Sequence, residues 1–232
     1  MGRRGKALRD TRRRAARLEE RERALIVTEG SKTEPVYFER LIQELGLTAA
    51  RVNIAGDGGS APISVVEYAK RFLRNNPDFE HVFLVFDRDR HTTYREAIDE
   101  ARRFRPNKNK APGNQSIEAI PSIPSFEIRY RFHITGGRKP YPAGEGVGLP
   151  ARDLIDDLKD LHPCFATYDR ASCDAFYDTI KPMRERACIR AERALEEARR
   201  EGQEPFEENP STRVHLIVRR LQDMAKKQND GN

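Results

Sequence analysis

The chain has 232 residues, 34% of them charged, a mean hydropathy of −0.80 and only three cysteines. No CxxC pair is present, no apolar window reaches the length of a membrane span, and the Arg-rich start lacks the apolar core of a secretory signal. These features argue against a disulfide frame, a zinc ribbon and a membrane partner, and a cytoplasmic protein is expected. The net charge of +6 is placed unevenly: residues 1–23 hold ten Lys or Arg against four Asp or Glu, and the remainder balances at 33 of each sign. The first 23 residues are therefore read as a basic arm, disordered or a frayed helix in isolation, with affinity for phosphate backbones.

Ala24-Leu25-Ile26-Val27-Thr28 is the first apolar run, predicted as a buried strand with Glu29 at its carboxyl tip. Thr33 is placed to cap a helix, with Pro35 in its first turn, Tyr37, Leu41, Ile42 and Leu45 at helical spacing, and Gly46 at its end. Glu34 has two readings here, as a first-turn acid favourable to the helix dipole or as a second carboxylate facing the Glu29 cleft. Val52 to Ala55 is a second strand. The Gly56-Asp57-Gly58-Gly59-Ser60 loop after it matches neither a nucleotide-binding glycine loop nor a dinucleotide fingerprint, and reads as a tight turn. Pro62 opens a helix that buries Val65, Val66, Ala69, Phe72 and Leu73.

Val82-Phe83-Leu84-Val85-Phe86 is the strongest strand signal, an unbroken apolar run ending at Asp87-Arg88-Asp89-Arg90-His91. Such runs mark strands covered on both faces, and ligands in open α/β sheets sit beyond the carboxyl ends of the strands. Thr93 is expected to cap the next helix, with Tyr94, Ala97, Ile98, Ala101 and Phe104 inward. Strand and helix alternate three times, which predicts a parallel sheet with right-handed crossovers. Arg105 to Ser116 is basic and rich in breakers, and reads as a mobile loop. Ile117 to Ile120 is a short last strand. Residues Pro121 to Glu127 then turn into a helix or strand ending at Phe132-His133-Ile134. Thr135 to Pro150, rich in Gly and Pro, is irregular. Helices are predicted over Ala151–Leu161, over Pro182–Arg200, and after Ser211, the last with Val214, Ile217, Val218 and Leu221 inward. The division this suggests is a basic arm (1–23), an α/β domain (24–161) and a helical C-terminal extension packed on it (162–232).

Four motifs in order carry a family resemblance: Glu29-Gly-Ser-Lys-Thr-Glu34-Pro-Val-Tyr-Phe, Asp87-x-Asp89, Pro-Ser-Phe-Glu127, and Asn209-Pro-Ser-Thr-x-Val-His215. Together they resemble the RloB family over roughly Ala24 to Leu221, and through it the TOPRIM domains of topoisomerases, primases and OLD-type nucleases. The chain departs from the family pattern at Ser122-Ile123-Pro124, where an Asn is usual, and at Phe126-Glu127-Ile128-Arg129. The resemblance implies a TOPRIM-like α/β fold, a general-base role for Glu29, a nuclease acting in anti-phage defence, and an ABC-type or AAA-like ATPase partner.

The residues support related chemistry on their own. A glutamate and an Asp-x-Asp at neighbouring strand tips supply the anionic oxygens that Mg²⁺ or Mn²⁺ requires, and a cation relieves their repulsion. Glu29, Asp87 and Asp89 are expected to be catalytic and metal-binding, with Glu34 and Glu127 as further metal ligands. Lys32, Arg88, His91 and His133 are candidates for phosphate contact. The expected function is metal-dependent cleavage of DNA or RNA phosphodiesters, tRNA included. A non-catalytic metal-holding subunit and a phosphoryl- or nucleotidyl-transfer enzyme are the alternatives, and self-association is left open.

Overall fold

The computed structural model describes residues 22–48, 51–56, 59–105, 115–142, 149–169 and 174–230. All but the last two residues of the basic arm, most of the Arg105–Ser116 loop and part of the Thr135–Pro150 stretch lie outside these residues. The element order is β1 (Ala24–Thr28), α1 (Thr33–Glu44), β2 (Val52–Ala55), α2 (Pro62–Asn75), β3 (His81–Asp87), α3 (Tyr94–Arg103), β4 (Ser116–Ile123), α4 (Ile128–Ile134), α5 (Pro150–Leu161), α6 (Tyr177–Ile180), α7 (Arg184–Arg200), β5 (Ser211–Thr212) and α8 (Val214–Asp230).

The five strands form one sheet in the order β2-β1-β3-β4-β5, parallel except for the antiparallel β4–β5 pair. β1 and β3 lie in the interior of this sheet. All five residues of β1 and the first six of β3 are buried, as the apolar runs require. Successive side chains alternate between the two faces. Ala24, Ile26, Phe83, Val85 and Ile120 face a large core with Tyr37, Phe38 and Leu41 of α1 and the apolar residues of α4, α5, α7 and α8. Leu25, Val27, Val82, Leu84 and Phe86 face a second core with α2 and α3. The result is a mixed α/β architecture, a mostly parallel sheet covered by helices on both faces, closed by a C-terminal helix. Among the described residues no helix is long and apolar enough to cross a membrane.

Several local expectations shift. Thr33 is the first residue of α1 rather than its cap, and Thr93 precedes α3 without lending its hydroxyl to a helical N–H. Ser211 does not cap the last helix: it lies in β5, and Thr212 Oγ1 accepts the Val214 N–H at 3.2 Å instead. The helix expected from Pro182 begins at Arg184, after a 3₁₀ turn over Lys181–Met183 that accommodates the proline without an N–H. β4 runs to Ile123 and not only to Ile120, because Phe86 and Asp87 of β3 pair with Pro121 and Ser122. The predicted C-terminal extension also supplies a strand, with Thr212 opposite Ser122 and their hydroxyls 2.9 Å apart.

Candidate active site

The site is built where β1 and β3 end. The sheet ladder continues past β1 in the Glu29 N–H, which donates to Val85 O at 3.0 Å. The Glu29 side chain then turns across to β3, and its Oε2 accepts the Asp87 N–H at 3.0 Å. One residue thus uses both backbone and carboxylate to hold the two strand tips together. After Asp87 the chain turns sharply. Arg88 N–H donates to Ser122 O and Asp89 N–H to Pro124 O, both at 2.9 Å, and Asp89 takes a left-handed backbone with φ +30°. Asp is among the few non-glycine residues that tolerate this region. The turn closes with His91 N–H on Arg88 O, and it brings His91 Nε2 to 3.0 Å from Glu29 Oε1.

The Ser122-Ile123-Pro124 corner therefore acts through backbone carbonyls. These do not depend on the side chain at 123, which is itself buried in the α2–α3 core. The turn is thus held whatever side chain stands at position 123.

The loop after β1 adds a second carboxylate. Thr28 Oγ1 donates to Gly30 O at 2.8 Å, tightening the turn, and the buried Glu34 of α1 folds back over it. A methyl group on Gly30 would lie 2.5 Å from Glu34 Oε2, so the glycine is what admits that carboxylate. In the loop after β2, Gly59 has φ +94°, consistent with a tight turn, while Asp57 and Gly58 lie outside the described residues. Glu127 immediately precedes α4, without its side chain capping the helix, and is only 1% exposed. Ser125 Oγ donates to its Oε2 at 2.6 Å and Tyr168 OH to its Oε1 at 3.1 Å. Tyr168 comes from the C-terminal part of the chain and carried no recognisable signal.

Glu29, Glu34, Asp87, Asp89 and Glu127 line one cleft of about 610 Å³, together with Lys32, His91, the glycine turns and Phe126. Two of the sequence candidates lie elsewhere. Arg88 points away, onto Glu207 at 2.6 Å. His133 is buried on α4, its Nδ1 2.9 Å from Arg129 O and its ring edge-on to Tyr37. Burial, with the Arg129 charge beside it, holds the His133 imidazole well below its ordinary pKa, so it is a neutral core histidine. Arg129 is itself fully buried, donating to Tyr37 OH at 3.2 Å and Cys188 Sγ at 3.5 Å. It belongs to the core and not to the cleft.

The donor set suits a hard cation. Five carboxylates line one cleft, and Asp89 Oδ1 is buried without a hydrogen-bond donor. Among the described residues no three His, Cys, Asp or Glu side chains are gathered tightly enough to enclose an ion by themselves. An ion bound here by one or two of these carboxylates would need water and substrate phosphate to complete its shell.

The model of the RloB-like protein family matches residues 24–221. The chain belongs to that family. The match spans β1 through Leu221 of α8 and so takes in every residue that builds the cleft. No curated protein and no solved structure matches the chain.

Proposed function

We propose that this RloB-like protein is a divalent-metal-dependent nuclease that hydrolyses phosphodiester bonds of DNA or RNA. The observation that carries the reading is the convergence of Glu29, Asp87 and Asp89 at adjoining strand tips in one acidic cleft, with an Asp89 oxygen buried and lacking a donor. So many carboxylates repel a phosphodiester unless a cation stands between them.

A cation held by Asp87 and Asp89, with water and substrate phosphate completing its shell, would polarise the phosphodiester and ready a water for attack. The protein's own part is orientation. The Asp87 N–H and His91 hold the Glu29 carboxylate from two sides, fixing the group best placed to take a proton from the attacking water. Ser125 and Tyr168 hold Glu127 in the same way, and Lys32, exposed at the cleft mouth, is positioned to meet substrate phosphate.

A non-catalytic metal-holding subunit is the alternative reading, and intact substrates in the experiment that follows would favour it. The resemblance to OLD-type nucleases supports a role in anti-phage defence alongside a partner ATPase. The deciding experiment incubates the purified protein with supercoiled plasmid, single-stranded DNA and total tRNA, each with Mg²⁺, with Mn²⁺ or with EDTA. Cleavage of at least one substrate that EDTA abolishes is expected. Intact substrates under every metal condition would remove the reading.

A further inference from the structure

Beside the acidic cleft, two guanidinium groups close on one carboxylate. Arg88 Nη2 lies 2.6 Å from Glu207 Oε2, and Arg95 Nη2 lies 3.0 Å from Glu207 Oε1. Arg88 is the residue between the two cleft aspartates, and Arg95 is the second residue of α3. A pocket of about 350 Å³ opens beside Arg88 and Glu207, lined also by Asp89, Pro124 and Asn209, with Arg95 outside its lining. Asp89 lines both this pocket and the acidic cleft, so the two are neighbours through that residue.

We propose that Arg88 and Arg95 form a phosphate-binding subsite, filled by the Glu207 carboxylate in the free protein and taken over by a nucleic-acid phosphate on binding. The proposal rests on a nucleic-acid substrate for the adjoining cleft. Two guanidinium groups around one anion are the donor arrangement that recognises phosphate, and a carboxylate offers the same pair of oxygens and the same single negative charge as a phosphodiester. Arg95 is 76% exposed, so its guanidinium reaches an incoming ligand without rearrangement of α3.

The backbone carrying Glu207 is held independently of that side chain. The Phe206 ring lies between the guanidinium groups of Arg102 and Arg213, at 4.7 Å and 4.1 Å. Tyr94 OH donates to Phe206 O at 2.7 Å, and Phe206 N–H donates to Glu208 Oε2 at 2.7 Å. Release of the subsite thus requires only a rotation of the Glu207 side chain, with the segment in place.

The test is binding of fluorescein-labelled single-stranded DNA and RNA in EDTA, where nothing is cut. Glu207→Gln is expected to bind about fivefold tighter than wild type. Its plot of log affinity against log salt should steepen by roughly 0.7 for each phosphate newly engaged. Glu96→Gln removes the same charge from the exposed face of α3 next to Arg95 and is expected to change affinity less than about twofold. In an Arg95→Ala background the gain from Glu207→Gln should shrink to under about twofold. Arg95→Ala alone should weaken binding, and its exposed position leaves folding out of the comparison. Equal gains from the Glu207 and Glu96 changes overturn the subsite, as do a gain that survives Arg95→Ala and an absence of binding by every variant. Cleavage by wild type in Mg²⁺ is scored separately. Cleavage without the Glu207 effect removes the subsite alone, and the binding pattern without cleavage removes the nuclease reading alone.

Discussion

The Glu29 carboxylate accepts the backbone N–H of Asp87 at 3.0 Å, so the acid at the tip of β1 is latched to the acid at the tip of β3. The contact links residues 58 positions apart and follows from the parallel pairing of Thr28 with Val85. It gives Glu29 a fixed orientation before any ligand arrives. Preorganisation of this kind lowers the reorganisation needed at the moment of reaction.

Asp89→Asn tests the centre of the site. Asn tolerates the left-handed backbone at this position and keeps the N–H bond to Pro124 O, so the turn should persist. Metal-dependent cleavage should fall at least about 100-fold, the scale of removing one electrostatic group from a site. The melting temperature without metal should hold or rise slightly, because one charge leaves a crowded acidic cleft. Wild-type cleavage together with unchanged Mn²⁺ affinity would remove Asp89 from the chemistry.

Gly30→Ala separates the two readings of Glu34. The added methyl would meet the Glu34 carboxylate at 2.5 Å, and the flexible side chain must move away. A stability loss of about 1 kcal/mol, the low end for overpacking because the clash is with the end of a flexible side chain, is expected, with cleavage reduced to the level of Glu34→Ala. The double variant should cleave no worse than Glu34→Ala alone, since both changes act on one carboxylate. If Glu34 serves only the dipole of α1, Glu34→Ala will cost about 0.3–1 kcal/mol of stability and leave cleavage untouched.

What the residues reveal without a structure depends on how local each contact is. The buried interior strands were legible because their apolar runs are long and unbroken, and Glu29 and Asp87 follow directly as the residues where those runs stop. β5 was not legible. It is two polar residues, and only the Ser122–Thr212 pairing across 90 positions makes it a strand. The bond from His91 to Glu29 depends on the backbone turn at Asp89, which no periodicity encodes. Arg88 sits between two acids in sequence yet turns outward to Glu207, an acid 119 positions away. His133 borders an apolar run, where a lone histidine is more often structural, and that run carries it into the core.

The Glu208–Arg213 pair is the next point of test. Glu208 is fully buried, and its two oxygens take Arg213 Nη2 at 2.8 Å and Nη1 at 3.3 Å. Arg213→Ala leaves that carboxylate buried without its cation and removes the guanidinium stacked on Phe206. A loss of roughly 3–5 kcal/mol is expected in urea unfolding, because breaking one side of a buried pair strands the other charge. Replacing both residues with apolar ones of similar volume should cost much less. A loss under about 1 kcal/mol for Arg213→Ala would mean that water reaches Glu208 and solvates it.

Acid should destabilise the protein through two buried histidines. Burial, then the charge of Arg129, lowers the pKa of both: His215 to about 4, and His133 well below its usual value. Arg213 and Arg219 add to the effect at His215, Arg184 and Arg190 at His133, and the backbone carbonyls of Thr212 and Arg129 oppose it. The folded state therefore keeps both rings neutral at a pH where the unfolded chain protonates them. Their contribution to stability is complete above the unfolded value of 6.5 and is lost as pH falls, for His215 down to about 4. Each ring can add up to about 1.4 kcal/mol per pH unit to the slope across that window. His215→Asn keeps a donor for the Thr212 carbonyl but cannot take up the proton, so its unfolding free energy should fall less steeply between pH 6.5 and 4.5 than that of wild type. Comparing the two proteins at each pH cancels the carboxylates of Glu44 and Asp157, which ion pairing and hydrogen bonding hold below their ordinary range. Parallel slopes for wild type and His215→Asn would show that His215 takes up its proton as readily in the folded protein as in the unfolded chain.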